Sequence, residues 1–179
     1  MSGHSKWSQI KHEKGATDAK KSREFSKLAR MISIAARKGE DPNMNSELRM
    51  AVDKAKSINM PSDNIEKAIK RGAGKIEGGA AQLEQMRCEA YGPAGAALII
   101  EIITDNKNRS IAEIKHLLAQ HNGKLGEPGS VMWAFEIKER KIIPKITVPI
   151  NEQDKNLLNQ LIEALNDHDD VQEVYNNSI

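Results

Sequence analysis

Between Thr17 and Lys38 the apolar residues Phe25, Leu28, Ala29, Ile32, Ala35 and Ala36 recur at i, i+3, i+4, i+7, i+10 and i+11, which is one stripe of an α-helix. Thr17 or Asp18 is placed to cap its start, and Gly39 to leave it through positive φ. Beyond the Asp41-Pro42 turn, Leu48, Ala51, Val52, Ala55 and Ile58 form a second stripe, with Ser46 as its expected cap. Met60-Pro61 ends that helix, because the residue before proline is pushed out of the α region. Ser62 is then the expected cap of a short third helix bearing Ile65, Ala68 and Ile69. Helices this short are marginal alone, so the three stripes are expected to pack together. Residues 1–15 have no sustained apolar period and carry Gly3, Ser5 and Gly15, which predicts a flexible arm.

Gly72 to Gly79 is rich in glycine and reads as a linker, after which the period changes. Met86 to Tyr91 and Ala96 to Thr104 are strand-like, joined by the turn Gly92-Pro93-Ala94-Gly95. Ala97 to Ile103 is apolar almost throughout and belongs in the centre of a sheet. Ser110 to His121 is helical, with Ile111, Ile114, Leu117 and Leu118 on one side. Val131 to Ile137 alternates as a strand, and Ile142 to Ile150 reads as an edge strand, since Pro144 and Pro149 donate nothing to a ladder. Glu152 to Asn166 is an amphipathic helix, and Val171 to Tyr175 a closing strand. From Ala96 onward the order is βαββαβ, the ferredoxin-like arrangement, with one additional strand in front. The expected fold is therefore α+β, with a helical domain over 1–75 and an α/β domain over 76–179.

Charge sharpens that division. Residues 1–75 hold 17 Lys/Arg against 9 Asp/Glu, whereas residues 76–179 hold 10 against 16. The bias is strongest in residues 1–38, with ten cations against three acids. A basic arm running into a basic amphipathic helix suits a polyphosphate partner. Lys6, Lys11, Lys14, Lys20, Lys21, Arg23, Lys27 and Arg30 are the expected phosphate contacts, with His12 among them. Trp7 either stacks on a base or ribose or anchors the arm on the helices. Aromatic residues make up only 3% of the chain, too few for a platform that stacks many single-stranded bases.

Several other chemistries lack their residues. Cys88 is the only cysteine, so no internal disulfide forms, and in a strand it is expected to be packed. His4 with His12 and His116 with His121 miss the i, i+4 ligand spacing, and Asp167, Asp169 and Asp170 lack the pattern of a calcium loop, so a solvated turn is expected there. Gly92 to Gly95 has neither the context of a dinucleotide fingerprint nor a following Walker lysine. No carboxylate pair or nucleophile–base set emerges, so neither an enzyme nor a cofactor is expected. No run approaches the roughly 18 apolar residues of a bilayer span. Cytoplasmic residence follows, or an organellar matrix if a targeting segment has been removed. At Thr104 to Ser110, Asn106, Lys107, Asn108 and Arg109 open a helix. They either cap it or hold a phosphate at its amino terminus.

The blocks Gly3-His4-Ser5-Lys6-Trp7, Ile10-Lys11-His12, Lys14-Gly15-Ala16, Asn59-Met60-Pro61, Glu89-Ala90-Tyr91-Gly92-Pro93, Thr104-Asp105-Asn106-Lys107-Asn108-Arg109, Gly129-Ser130-Val131 and Asp169 to Tyr175 follow one another in order. In that series the chain resembles the YebC family of transcriptional regulators, which also includes ribosome-associated translation factors. The resemblance implies a non-enzymatic regulator of gene expression whose partner is nucleic acid, either ribosomal RNA or DNA. It also implies a three-domain plan, with the third domain inserted between the equivalents of Ile137 and Pro144. Here only Lys138 to Ile143 fills that interval, enough for a hairpin, so the third domain is expected to be absent between about 138 and 143. The competing expectation is a protein-interaction scaffold whose basic arm docks on an acidic partner. No helix-turn-helix with base-reading residues is evident, which favours a structured RNA over duplex DNA.

Overall fold

The computed structural model describes residues 3–76, 83–138 and 141–179, and within these the side chains from Asp18 onward. It divides into two compact units, residues 1–80 and 81–179.

The first unit is helical. α1 runs from Gly3 to Ala36, α2 from Ser46 to Ser57 and α3 from Ser62 to Gly72. The predicted stripes meet in one core of Leu28, Ile32, Ala35 and Ala36 from α1, Leu48, Ala51, Val52 and Ala55 from α2, and Ile65 and Ala68 from α3, with Met60 between the last two. α1 differs from expectation at its start. Its backbone is helical from Gly3, so the stretch expected to be a flexible arm is the opening of a helix of 34 residues, about 50 Å long. The apolar period reports only burial, and Lys, Glu, Gln and Ala in residues 6–20 favour helix without it. Gly15 costs about 1 kcal/mol within the helix, which its length tolerates. Thr17 and Asp18 accordingly lie inside α1 and cap nothing.

The exit from α1 is as expected, with Gly39 at φ +146 and its N–H on the Ala36 carbonyl. The cap of α2 is Asn45, one residue before the expected Ser46, and it is nearly buried. Its Oδ1 accepts from the Leu48 N–H at 3.1 Å, while its Nδ2 donates to the Ala35 and Gly39 carbonyls, each at 2.8 Å. One amide thus satisfies the end of α1 and the start of α2, which a serine is too short to do. α3 begins after Pro61 with no side-chain cap, so Ser62 does not serve as one. Gly72, expected in the linker, is the last residue of α3 and its closest approach to α1. A Cβ there would sit 2.1 Å from the Ser33 carbonyl oxygen. Ser33 is buried and donates its hydroxyl to the Ala68 carbonyl at 2.8 Å, fixing the same crossing.

The second unit comprises β1 (Glu84–Tyr91), β2 (Ala97–Thr104), α4 (Lys107–Gln120), β3 (Lys124–Leu125), β4 (Phe135–Lys138), β5 (Lys141–Pro144), α5 (Glu152–Asp167) and β6 (Val171–Asn176). An antiparallel four-stranded sheet has the order β3-β1-β2-β6, so β2 is central as its sequence requires. Its two faces are buried differently. Leu98, Ile100 and Ile102 pack with Cys88 and Ala90 against Ile114 and Leu118 of α4 and Leu158, Leu161 and Leu165 of α5. Ala97 and Ile99 point the other way, into Val131, Ala134, Phe135 and Ile142.

The α+β class and the helical-then-α/β order match expectation. The pairing of the later strands differs. Among the described residues β4 and β5 pair only with each other, in a separate two-stranded sheet over the Ala97–Ile99 face, and the additional front strand β1 occupies the interior position beside β2. The expected strand at Val131 to Ile137 is shortened because Met132–Ala134 form a 3₁₀ turn. The reason lies in β1: the nearly buried Glu89 carboxylate accepts the N–H groups of Gly129 (2.6 Å), Val131 (2.7 Å) and Met132 (3.0 Å). Amides turned towards a carboxylate cannot also serve a ladder. Burial pushes the Glu89 carboxyl up, but these three bonds, with Arg87 nearby, outweigh it and leave the group below its ordinary value. β5 stops at Pro144, and Val148 beyond it makes a single parallel bridge to Ser178.

Candidate nucleic-acid interface

α1 places its cations by helical geometry. Lys20, Arg23, Lys27 and Arg30 lie at i, i+3, i+7 and i+10, on the side opposite the packed stripe of Leu28, Ile32, Ala35 and Ala36. Lys20 and Lys21 are exposed, whereas Arg23, Lys27 and Arg30 are half-buried, with long stems along the helix. The Lys21 ammonium stands 5.7 Å from the centroid of the Phe25 ring. Among the described residues no carboxylate lies within ion-pair distance of Lys20 or Lys21. Lys38 and Lys75, by contrast, are held by Glu47 at 2.8 Å and Glu40 at 2.6 Å. Lys6, Trp7, Lys11, His12 and Lys14 belong to the helical backbone of α1, and their side chains lie outside the described residues. A short cleft opens where Ser22 to Ala29 of α1 face Asn64 to Arg71 of α3, with Lys67 and Arg71 at its rim.

The second group of candidates sits at the turn from β2 into α4, where most of the polar atoms have partners within the chain. The Asn106 Oδ1 accepts the Arg109 N–H at 3.1 Å and so caps α4, while the Thr104 Oγ1 accepts the Asn106 N–H at 2.9 Å. Lys107 pairs with Glu84, and Arg109 with Asp105 and Asp170 at 2.9 and 2.8 Å. Asn108 is exposed. The centre of the arrangement is Asp170, only 2% exposed. Its Oδ2 accepts from the Ser110 hydroxyl at 2.6 Å, the Arg109 guanidinium at 2.8 Å and the Thr104 hydroxyl at 3.1 Å. Hydrogen bonding and charge from Asp170 in turn raise the Arg109 pKa. The expected solvated turn at Asp167 to Asp170 is thus corrected for Asp170, a buried anchor joining the start of α4 to β6. Its only sequence signal is that a strand begins immediately after it.

Glu113, His168 and Asp170 bring donor atoms within 4.8 Å of one another. Their valences are already used. The His168 Nδ1 accepts the Asp170 N–H at 3.1 Å, which leaves Nε2–H to meet the Glu113 carboxylate at 2.9 Å. The Asp170 oxygen is shared by two hydroxyls and a guanidinium, whose charge disfavours a second cation. Cys88 is buried in β1, and burial pushes its thiol pKa up. No described helix is long and apolar enough to cross a membrane.

Comparison with known proteins agrees across both units. The family model for the TACO1/YebC protein N-terminal domain matches residues 5–75. The model for the TACO1/YebC second and third domain matches residues 83–141 and 136–178, two stretches that meet on the β4–β5 hairpin. A probable transcriptional regulatory protein of Solibacter usitatus is 52% identical over 144 residues, covering 80% of this chain and 57% of that protein. One of Halothermothrix orenii is 49% identical over 166 residues, covering 92% and 63%. The chain therefore spans about three-fifths of the length of these relatives. The crystal structure of a conserved hypothetical protein from Aquifex aeolicus superposes with a TM-score of 0.81 at 31% identity, over 90% of this chain and 91% of that one. With family models matching nearly its whole length and relatives at about half identity, this chain belongs to the TACO1/YebC family.

Proposed function

We propose that the protein is a non-enzymatic regulator of gene expression that grips the phosphate backbone of a nucleic acid through the cationic side of α1. The observation that carries this is the placement of Lys20, Arg23, Lys27 and Arg30 opposite the packed stripe, with Lys20 and Lys21 exposed and without a described carboxylate partner. Contacts of this kind position a protein on a polyanion without reading sequence. Lys6, Lys11 and Lys14, with His12 and Trp7, extend the same helix and belong to the same proposed contact. Because the opening residues are helical, the interface is a rigid rod of charge and not an arm that orders on its target, which lowers the entropic cost of binding. The relatives' names, probable transcriptional regulatory proteins, agree with a nucleic-acid partner.

Structured RNA on the ribosome is the favoured target. Among the described helices, α3 opens on Ser62, Asp63 and Asn64, with no arginine or lysine in its first turn, and has Lys67, Lys70 and Arg71 in its second half, which is not the arrangement of a recognition helix entering a major groove. Cytoplasmic action fits either target. The β4–β5 hairpin stands where the longer relatives are inferred to carry their third domain. In this reading that domain is dispensable for phosphate binding.

Salt-titrated binding of the full chain to ribosomes, duplex DNA and an acidic control protein tests the reading. The expected result is tightest binding to ribosomes, a weaker and more steeply salt-dependent affinity for DNA, and none for the acidic protein. Equal binding to the acidic protein would overturn it in favour of a protein-docking scaffold.

A further inference from the structure

We propose that the cleft between α1 and α3 receives a single unstacked base of the bound nucleic acid, an inference that rests on the phosphate-binding role assigned to α1. The cleft is open to solvent and offers about 270 Å³. That is just under the roughly 300–1,000 Å³ of pockets for drug-sized ligands, and it suits one heterocycle better than a larger molecule. Its floor is apolar, formed by half-buried Phe25 and buried Met60. Its walls are polar: the exposed side chains of Ser22 on α1 and Asn64 on α3 offer hydroxyl and amide groups of the kind that read the edge of a base. Its rim is cationic, with Lys67 and Arg71 one helical turn apart on α3. Lys70, the neighbouring cation of α3, leans towards Glu66 at 3.9 Å, but among the described residues Lys67 and Arg71 have no carboxylate within ion-pair distance.

An apolar floor, donors and acceptors on the walls and cations at the mouth match the three parts of a nucleotide in order: base face, base edge and phosphate. The cleft borders the cationic side of α1, since Ser26 stands three residues from Arg23 and four from Arg30. A backbone held along α1 would therefore pass the mouth of the cleft, and a base displaced from its stack would have a site to enter. The low aromatic content of the chain is no obstacle, because one ring serves one base.

The test compares two hairpins of identical stem, one with a single bulged adenosine and one with an abasic residue at the same position. Each is made in RNA and in DNA, and binding of the full chain is followed by fluorescence anisotropy at fixed salt. The adenosine hairpin is expected to bind about tenfold more tightly than the abasic one, and the backbone showing the larger preference identifies the source of the base. Phe25→Ala would also damage the helical core, so the diagnostic variant fills the cleft from its exposed side with Ser22→Leu and Ser26→Leu together. This variant should bind the abasic hairpin as the parent does while losing the preference for adenosine. Equal affinity of the parent for both hairpins, or an undiminished preference in the filled variant, would overturn the cleft assignment alone. Failure to bind either hairpin at low salt would overturn the phosphate-binding reading with it.

Discussion

The helical unit and the α/β unit use charged residues in opposite ways. On α1, Lys20 and Lys21 face water. In the α/β unit the decisive charges are turned inward. Asp170 collects two hydroxyls and a guanidinium, and Glu89 collects three backbone N–H groups. The same residue types therefore mean different things. Arg109 and Lys107 sit in a polar, motif-like run that reads as a surface site, yet both have carboxylate partners within the chain. Lys20 and Lys21 sit in the basic helix whose charge bias already pointed to a polyphosphate partner, and among the described residues no carboxylate holds them. What separates the two cases is a carboxylate brought close by the fold, Glu84 for Lys107 and buried Asp170 for Arg109, which the local sequence does not display.

That contrast can be broken at its strongest point. Asp170→Ala removes the buried acceptor shared by the Thr104 and Ser110 hydroxyls and the Arg109 guanidinium, leaving Arg109 with Asp105 and opening a hole beside β6. A loss of about 3 kcal/mol is expected in urea unfolding, with nucleic-acid affinity in the folded range unchanged. A fall in affinity at unchanged stability would instead make the β2–α4 turn part of the interface.

Glu89→Gln is next. An amide in place of the carboxylate brings an NH₂ against backbone donors, and a loss of about 2 kcal/mol is expected. The parent should also show the matching pH dependence. The folded Glu89 pKa lies below the ordinary 4.5, so its contribution is complete above about 4.5 and is lost as pH falls through the folded value. Stability measured from pH 6 downwards should therefore fall more steeply in the parent than in Glu89→Gln. Parallel curves would contradict the assignment.

Gly72→Ala probes the helical unit by packing instead of charge. The new methyl would meet the Ser33 carbonyl at 2.1 Å, so α1 and α3 must separate, at about 1–2 kcal/mol in thermal unfolding. An unchanged melting temperature would mean that the crossing is looser than its geometry indicates.

Much of the fold was legible in the sequence because burial imprints a period. The stripes of α1 to α3, the apolar run of β2 and the Leu158–Leu161–Leu165 face of α5 all carry it. Elements held by backbone polar groups left no such mark. The opening of α1 lacks an apolar stripe and is helical all the same. β3 has two residues and exists through its pairing with Ala90 and Tyr91. The 3₁₀ turn at Met132 depends on Glu89, more than forty residues earlier. The cationic face of α1 could be read from spacing alone, since Lys20, Arg23, Lys27 and Arg30 follow from the stripe they avoid. Asp170 could not, because an aspartate in an acidic run looks solvated until the strand beside it is placed.

The central claim is that the cations of α1 hold phosphate, and the most direct measurement is the salt dependence of binding after neutralising three of them. Lys20→Gln, Lys21→Gln and Arg23→Gln together leave the packed stripe untouched. Against duplex DNA and ribosomes, the slope of log affinity on log salt should become shallower by about 2 to 3, with weaker binding at low salt and an unchanged unfolding curve. An unchanged slope and affinity in a folded triple variant would contradict the account and move the interface off α1.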